Sequence, residues 1–335
     1  MKIGSVELDS EVLLIAEIGN NHEGDIQLAK RLINLAAEAG AHVAKFQTID
    51  PHRLVHKTDS SRFRQLQKFA LSRQDHEDLA LAAEAAGIMF MSTPFHLDAV
   101  KWLKDLVPAF KIASGDNNFD PLLQAVATTG KPVVMSTGMT TAADVDHACS
   151  VILESWGAQN VNPGLSLLHC VSAYPAPISD VNLASIRFLQ ERCDAAGYSD
   201  HTLGIEVAVM SVAAGARVVE KHFTIDKQYS DFRDHALSAD QDEFKQLAER
   251  IREVSQLIGS PSKACRVSEE PVAFAARRSI VAKRDLVAGH LISMEDLDWL
   301  RPAGGLSPQF TSKLIGRKLT KPTSKGSYIT METII

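Results

Sequence analysis

Tyr198-Ser-Asp-His-Thr-Leu-Gly204 and Glu220-Lys-His-Phe-Thr224 are the two stretches that decide how this 335-residue chain is interpreted. Each lies where a short apolar run ends and a helix-forming run begins. In a β/α repeat, this spacing places His201 and His222 at the carboxyl ends of neighbouring strands, facing one cavity. Two neutral imidazoles over a cavity suit a divalent ion such as Mn²⁺, Co²⁺ or Zn²⁺. A histidine taken alone is more often a packing or hydrogen-bonding residue.

The overall composition sets the outer limits on fold and function. Hydrophobic residues make up 45% and charged residues 23% of the sequence, which is typical of soluble globular proteins. The net charge of −6 gives no reason to expect binding to nucleic acid or to an anionic membrane. The four cysteines are scattered, without metal-binding or redox spacing. Because no stretch resembles a signal peptide or a membrane span, we expect a soluble cytoplasmic protein.

Short apolar segments alternate with amphipathic helical segments through most of the chain. Eight strand-then-helix units follow one another between residues 12 and 258, a pattern typical of a parallel sheet covered by helices. Eight units in about 260 residues match the size of a (β/α)8 TIM barrel. A doubly wound open sheet is the alternative, but no glycine-rich dinucleotide fingerprint follows the first strand. A small hairpin is predicted over residues 2–11, before the first unit.

The composition changes after Gly259, where the helical periodicity ends. The predicted organisation is therefore a barrel domain over residues 1–259, a polar linker over residues 260–275, and a small β-rich domain over residues 276–335. A domain of about 60 residues is marginally stable alone, so we expect it to dock on another surface.

Polar residues recur at the predicted strand ends, directly after the apolar runs. In a barrel the active site lies at the carboxyl ends of the strands. Reading these ends in turn gives Glu17, Lys45, Gln47, Ser92, Thr93, Lys111, Ser114, Asp116, Ser136, Ser172, Tyr174, Ser199, His201 and His222. Any single serine or threonine is also explained as a helix cap. The recurrence at one strand end after another is what indicates a polar cavity.

Lys45 and Lys111 are the most informative pair, because each lies in an otherwise apolar strand, where an unpaired charge is costly. Two buried ammonium groups in one cavity need anionic compensation. Neutral donors of the kind that hold phosphate or carboxylate follow neighbouring strands: Thr93, Ser114, Ser136 and Ser199. The residues therefore predict a small, multiply anionic substrate beside a divalent metal. A Schiff base to one of the lysines is the competing interpretation.

Eight motifs, in order along the chain, resemble those of the sialic acid synthase family. They are Ala16-Glu-Ile-Gly-Asn-Asn-His22, Lys45-Phe-Gln-Thr48, Ser92-Thr-Pro-Phe95, Lys111-Ile-Ala-Ser-Gly115, Ser136-Thr-Gly-Met139, His169-Cys-Val-Ser-Ala-Tyr-Pro175, Ser199-Asp-His-Thr202 and Glu220-Lys-His-Phe-Thr224. The tail resembles the family's antifreeze-like (SAF) domain through Ala276-Arg-Arg-Ser-Ile280 and Leu300-Arg-Pro-Ala-Gly-Gly305. The resemblance covers essentially the whole chain.

This resemblance implies a metal-dependent, aldol-type condensation of phosphoenolpyruvate (PEP) with an open-chain amino sugar, N-acetylmannosamine or a relative. The product would be a sialic-acid-like 2-keto-3-deoxy nonulosonic acid, with phosphate released. The resemblance also implies that His201 and His222 hold the metal, Mn²⁺ with Mg²⁺ or Co²⁺ as alternatives, which would polarise the sugar aldehyde.

The same resemblance assigns roles to the other residues at the strand ends. PEP would be bound by Lys45, Gln47, Thr93, Lys111, Ser114, Ser136, Ser172 and Ser199. The sugar would be bound by Glu17, Gln47, Tyr174, Asp234 and Arg301. Catalytic contributions would come from Glu17, Lys45, Lys111, Asp116, His201 and His222. Arg301 lies in the tail, which in this family crosses to the partner's barrel in a domain-swapped homodimer.

Two departures from the family pattern bear on the chemistry. Asp116 stands where the family often has a glutamate. The segment Phe232-Arg-Asp234 stands where many members read Gly-Pro-Asp, with one additional residue here. Arg233 is interpreted either as a contact to a carboxylate or phosphate on the acceptor sugar or as a surface arginine. Two other functions remain open: a PEP-condensing synthase for a phosphorylated or otherwise modified sugar, and a non-catalytic sugar-binding barrel.

Overall fold

The structure, a computed structural model, describes residues 1–335. An antiparallel hairpin of β1 (Lys2–Ile3) and β2 (Val6–Glu7) comes first. Eight strands follow: β3 (Leu13–Gly19), β4 (Val43–Thr48), β5 (Met89–Pro94), β6 (Phe110–Ile112), β7 (Val133–Ser136), β8 (Leu165–His169), β9 (Ala195–Asp200) and β10 (Val218–His222). They are joined in the order β5-β4-β3-β10-β9-β8-β7-β6, and every joined pair is parallel. The predicted TIM-type barrel is confirmed.

Helices connect successive strands and cover the outside of the barrel. They are α1 (Ile26–Glu38), α2 (Pro51–Leu54), α3 (Ser60–Phe69), α4 (Arg73–Ala85), α5 (Leu97–Leu103), α6 (Asp120–Ala127), α7 (Ala142–Gln159), α8 (Ser185–Gln190), α9 (Glu206–Ala213), α10 (Arg233–Leu237) and α11 (Gln241–Ile258). Helices α3 and α4 are separated by residues 70–72. A new helix begins there because Ser72 and Asp75 form a reciprocal capping box. No helix combines the length and the apolar composition needed to cross a membrane.

The core has two parts, because successive side chains of a strand point to opposite faces. The outward side chains pack with the helices in the larger apolar cluster. The inward side chains at the amino-terminal ends of the strands pack with Ile3, Val6 and Leu8 of the hairpin region, which are at most 3% exposed. The hairpin therefore fills the amino-terminal end of the barrel with apolar side chains. Only the carboxyl-terminal end is left for a polar cavity.

The chain divides after Gly259 into two compact units, of which the second covers Ser260–Ile335. This C-terminal unit contains α12 (Glu270–Ala276), β11 (Ser279–Ala282), β12 (Leu297–Leu300) and α13 (Thr311–Leu314). Its small apolar core includes Ile280, Leu286 and Ile329. The β-rich C-terminal region is as predicted, and residues 260–275, predicted as a polar linker, include the start of a helix. Helix α12 begins inside that segment, because Pro271 favours the first turn of a helix.

A buried carboxylate holds the loops of the C-terminal unit together. Asp296 accepts hydrogen bonds from Arg284 (2.7 Å to Nη2), His290 (2.8 Å) and Ser293 (2.9 Å to both N and Oγ). Although burial alone would raise the pKa of Asp296, these bonds hold it below its ordinary value. A polar hub of this kind compensates for a core that is too small to define the fold alone.

Candidate functional site

A cavity of about 450 Å³ opens at the carboxyl ends of the barrel strands. The five hydroxyl-bearing residues assigned to PEP line its wall: Thr93, Ser114, Ser136, Ser172 and Ser199. Lys45, Gln47 and Lys111 line it as well. The alternation of side chains explains the grouping, because residues two apart on one strand, such as Lys45 and Gln47, face the same side. Except for Ser92 and Asp116, the set predicted from the strand ends is thus brought together in one cavity.

Lys45 and Lys111 are both 2% exposed and both belong to a buried hydrogen-bonded network. The Lys45 ammonium lies 2.5 Å from a Glu17 carboxylate oxygen and 3.4 Å from Glu220. It also donates to the Thr93 hydroxyl at 3.3 Å. The Lys111 ammonium donates to the Ser136 hydroxyl at 2.6 Å and to its neighbouring carbonyl at 2.9 Å. The two charges are therefore held in fixed positions by the protein itself.

Glu220 is the functional candidate that the sequence reasoning missed. One of its oxygens accepts a hydrogen bond from Ser199 at 2.8 Å and lies 4.0 Å from Lys111, while the other faces Lys45. Part of the anionic compensation that the two lysines need is supplied by the protein itself, through Glu17 and Glu220. The signal was present in the sequence, because Glu220 precedes His222 by two positions and so faces the same cavity.

The pKa values of the two lysines are shifted in opposite directions because their carboxylate neighbours differ. Burial acts to lower the pKa of Lys45, but Glu17 and Glu220 outweigh it, so the pKa is raised. Burial lowers the pKa of Lys111, and the more distant Glu220 opposes this only in part. Burial would raise the pKa of Glu220, yet the attraction of Lys111 and Lys45 lowers it. Lys111 is therefore the lysine that gains most from an added anion.

His201 and His222 lie side by side at the rim of the same cavity, with ring centroids 5.5 Å apart. The Nδ1 of His201 is bonded to the Val171 carbonyl at 2.8 Å, which leaves Nε2 free. The Nδ1 of His222 is buried without a partner. Burial, followed by the proximity of His222, lowers the pKa of His201 to about 4. Burial also lowers the pKa of His222. Both rings are thus neutral near pH 7, the state in which imidazole binds metal.

These two imidazoles fit a divalent metal ion with open coordination positions. An unpartnered, buried ring nitrogen on His222 and a free nitrogen on His201 are the donors that such an ion needs. No third His, Cys, Asp or Glu completes a cluster of three with them. An ion held here would take its remaining ligands from water or substrate, as catalytic rather than structural metal sites do.

The residues assigned to the sugar differ in their surroundings within the cavity. Tyr174 stacks on His201, with ring centroids 4.2 Å apart, and Asp234 lines the cavity nearby. Glu17 instead pairs with Lys45 and accepts a hydrogen bond from Gln47 at 3.0 Å. Tyr174 and Asp234 therefore line the cavity outside the lysine network, whereas Glu17 belongs to that network.

Three predicted residues are not on the cavity wall. Ser92 is fully buried and is hydrogen-bonded to the Thr48 hydroxyl at 2.7 Å. Asp116 follows Gly115, which lines the cavity, but its Oδ2 atom is buried without a hydrogen-bond partner. Arg301 belongs to the C-terminal unit, where it is exposed directly after β12. No sequence pattern indicates that one oxygen of the half-buried Asp116 carboxylate is enclosed without a hydrogen-bond partner.

Replacing Asp116 by asparagine is expected to stabilise the protein at alkaline pH. Burial raises the pKa of Asp116 to about 6, above its value in the unfolded chain, so ionisation opposes folding as pH rises through 6. Asp116→Asn should therefore add about 1–2 kcal/mol to the free energy of unfolding at pH 8, allowing for partial exposure, and almost nothing at pH 4. Urea denaturation at both pH values measures this difference. An equal change in the free energy of unfolding at both pH values would show that the carboxylate charge is not destabilising.

The fold and the cavity together define an enzyme of the TIM-barrel class. Active sites of such enzymes occupy the carboxyl ends of the strands. A cluster of buried charges with shifted pKa values at that place is typical of a catalytic site.

Comparison with known proteins identifies the family. The model of the NeuB family matches residues 32–263, and that of the SAF domain matches residues 277–335. The N,N'-diacetyllegionaminic acid synthase of Legionella pneumophila is 40% identical, over 96% of this chain and 94% of that protein. A pseudaminic acid synthase of Campylobacter jejuni is 34% identical, over 97% of each. The crystal structure of an N-acetylneuraminic acid synthetase from Leptospira borgpetersenii has a TM-score of 0.76 at 31% identity, covering 81% of this chain and 94% of that one.

The chain belongs to the NeuB family and carries a C-terminal SAF domain. The resemblance to sialic acid synthases that the sequence motifs indicate is thereby confirmed.

Proposed function

We propose that this protein is a PEP-condensing nonulosonic acid synthase whose acceptor is an open-chain amino sugar. The observation that carries the proposal is the convergence of Lys45, Lys111, His201 and His222 on one cavity of a NeuB-family barrel. The lysines and hydroxyls suit a doubly anionic molecule such as PEP. The neutral imidazoles suit a metal that activates an aldehyde. Each half of the cavity thus matches one of the two substrates.

The condensation forms one carbon–carbon bond and releases one phosphate. The methylene carbon of PEP bonds to the aldehyde carbon of the sugar, and the aldehyde oxygen takes up a proton. A water oxygen adds to the PEP carbon that bears the phosphate, and the water gives up one proton. The bond from that carbon to the phosphate oxygen then breaks, phosphate leaves with that oxygen, and the added hydroxyl loses its proton to become the keto oxygen. The products are a 2-keto-3-deoxy acid and inorganic phosphate.

The buried network prepares the site for the anionic substrate. Lys111 and the Ser136 hydroxyl, already 2.6 Å apart, form one fixed pair of donors. Lys45 with Thr93 forms a second pair at 3.3 Å. Because these donors are positioned before the substrate arrives, little reorganisation is needed when charge develops. Glu220 between the lysines keeps both in place in the absence of PEP.

His201 and His222 are proposed to hold a divalent ion, Mn²⁺, with Mg²⁺ or Co²⁺ as alternatives. When bound, such an ion supplies a Lewis acid that polarises the aldehyde oxygen. The Val171 carbonyl fixes the tautomer of His201, because it accepts a hydrogen bond from Nδ1–H and leaves Nε2 as the donor atom. Tyr174, stacked on His201, forms the adjacent wall against which the sugar would lie.

The acceptor is proposed to be a mannose-type sugar with at least one acetamido group. The relatives described above are named for legionaminic, pseudaminic and N-acetylneuraminic acids, so the amino sugar differs among them. In this chain, Arg62 and Arg233 line both the cavity and a hollow that adjoins it. Arg233 lies 5.0 Å from the Tyr174 ring centre and 3.2 Å from Asp234. It therefore contacts both residues best placed to bind the sugar.

Replacing Arg233 by alanine is expected to change which acceptor is preferred. The ratio of kcat/KM between two acceptors should shift by about tenfold, because the guanidinium contacts Tyr174 and Asp234. The KM for PEP should stay within about twofold of wild type. Arg64→Ala is the matched control, since Arg64 is exposed on the same helix as Arg62 but does not line the cavity. An equal effect on all acceptors and on PEP would make Arg233 a structural residue only.

The proposed activity is tested by incubating the purified protein with PEP and a panel of acceptors. The panel holds mannose-type sugars with one acetamido group, with two, and with a phosphate at the far carbon. We expect sugar-dependent release of phosphate, with an equal amount of 2-keto acid formed, and none from Lys111→Ala. Phosphate release that does not depend on any sugar, or no release with the whole panel, would contradict the proposal.

The proposed enzyme is a homodimer in which the C-terminal unit of one chain covers the barrel of the other. Residues 260–335 contain 12 Lys and Arg against seven Asp and Glu, whereas the whole chain contains 35 against 41. The tail is therefore basic and the barrel domain acidic, which favours their association. Large apolar side chains are exposed on both: Phe274 and Leu300 in the tail, and Ile178 and Leu203 after barrel strands β8 and β9. Exposed apolar groups of this kind support a docking role.

A further inference from the structure

A buried ion pair lies directly behind the two histidines, on the side of the strands that faces the helices. Asp200 on β9 and Lys221 on β10 are partners in the strand register and are each 1% exposed. Their charged atoms are 2.7 Å apart. Their neighbours Ser199 and Glu220 line the cavity, so alternation turns Asp200 and Lys221 to the opposite face. Nothing in the proposed chemistry uses this pair.

The pair is bonded to the backbone that follows His201. Lys221 donates to the Thr202 carbonyl at 2.7 Å. Asp200 accepts from the Thr202 amide at 2.9 Å and from its hydroxyl at 2.8 Å. Three hydrogen bonds thus converge on one residue, the one that directly follows His201. The pair therefore fixes the turn at the end of β9 to the end of β10.

Stability alone does not explain why charged residues occupy these positions. The surrounding layer between strands and helices is apolar. A buried ion pair is often no more stabilising than apolar residues of similar volume. What the pair adds is one defined geometry, because removing either partner leaves the other charge buried and alone.

The geometry so defined is that of the two imidazoles. His201 lies between Asp200 and Thr202, and His222 directly follows Lys221. The His201 ring has its own bond to Val171, but the His222 Nδ1 atom has no hydrogen-bond partner. The distance between the rings therefore depends on how the ends of β9 and β10 are held together.

We propose that Asp200 and Lys221 are positioning residues that set the spacing of His201 and His222 for a divalent metal ion. The inference rests on the proposed function, in which these histidines hold the metal. Residues that orient metal ligands from behind commonly change metal affinity by about 10–100-fold when replaced. We expect the affinity for the metal to fall by that factor when the bond from Lys221 to the Thr202 carbonyl is removed.

The test measures Mn²⁺ binding to metal-free protein without substrates, by electron paramagnetic resonance of free Mn²⁺. Lys221→Met removes the bond from β10 to the Thr202 carbonyl and leaves the Asp200 carboxylate without its counter-charge. Asp200→Asn with Lys221→Met removes both charges, so the penalty of an unpaired carboxylate disappears. The matched control is Lys131→Met, because Lys131 also donates to a backbone carbonyl, that of Val107 at 2.8 Å, but at the amino-terminal end of the barrel.

We expect both variants at Lys221 to bind Mn²⁺ about 10–100-fold more weakly than wild type, and Lys131→Met to bind it normally. PEP binding without metal, measured by calorimetry, should change less than about twofold, since the lysine network lies on the other face. If Lys221→Met does not fold, the double variant carries the test. Wild-type Mn²⁺ affinity in a folded double variant would overturn the inference.

A separate variant distinguishes failure of this inference from failure of the proposed function. His222→Ala should abolish specific Mn²⁺ binding if the histidines are ligands. If His222→Ala binds Mn²⁺ as wild type does, the metal site itself is misassigned, and the positioning role of Asp200 and Lys221 is overturned as well. If His222→Ala loses binding while the Lys221 variants keep it, the metal site stands and only the positioning role is overturned.

Discussion

Replacing His222 by alanine is expected to lower kcat/KM by roughly 1000-fold, because a metal that polarises the aldehyde contributes several kcal/mol and each 1.4 kcal/mol is a factor of ten. His201→Ala should have a similar effect, since only two protein imidazoles are available. Treatment of the wild-type enzyme with a chelator should give the same loss, reversed by added Mn²⁺. Added Mn²⁺ should not restore either variant fully, because one ligand is missing.

The matched control is His169→Ala. His169 lies at the end of β8 and bonds the Val181 carbonyl at 2.7 Å, but it does not line the cavity. This variant should keep its activity and its dependence on metal. Circular dichroism should show that all three variants are folded. Full turnover by chelated enzyme, with metal verified as absent, would remove the Lewis-acid role.

The barrel and the position of its cavity could be predicted from the sequence because both follow from local patterns. Apolar runs of strand length, each followed by a helical segment, are visible without knowledge of any long-range contact. The strand ends then indicate the cavity, because all parallel strands of a barrel end on the same side. Lys45 and Lys111 were found in this way, as charged residues in apolar runs.

The contacts inside the cavity could not be predicted, because they join residues far apart in sequence. Lys45 meets Glu17 and Glu220 only through the pairing of β3 with β4 and with β10. The sequence shows three charged residues, and their mutual distances appear only in the structure. The same limit explains Asp200 and Lys221, whose pairing depends on the register of β9 and β10.

The polar composition of one segment hides a short helix. The segment over residues 260–275 looks like a linker because it is polar and has two prolines. Pro271 nevertheless suits the first turn of a helix, and α12 begins at Glu270. The burial of Asp116 is a different case. No local pattern distinguishes a carboxylate that points to solvent from one enclosed by a turn.

A heterodimer with Lys111→Ala in one chain and Arg301→Ala in the other is expected to be far more active than the homodimer of either variant. Lys111→Ala should lower the activity of its own barrel by roughly 100–1000-fold, since Lys111 is a fixed donor to the anionic substrate. Arg301→Ala should lower the activity of the barrel that its tail covers by about tenfold or more, if the arginine donates to the sugar. In a domain-swapped pair these two losses fall on the same site.

The reason lies in how the two chains share their parts. The chain with Lys111→Ala has a damaged barrel and an intact tail, and the chain with Arg301→Ala has the reverse. A swapped heterodimer therefore contains one doubly damaged site and one site with no mutation, so it should show about half of wild-type activity. The two chains are co-expressed with different affinity tags, and the heterodimer is purified through both. A heterodimer of Lys111→Ala with wild type is the control, with the same expected activity. If the purified heterodimer of the two variants shows only half the activity of the Arg301→Ala homodimer, Arg301 acts on the barrel of its own chain.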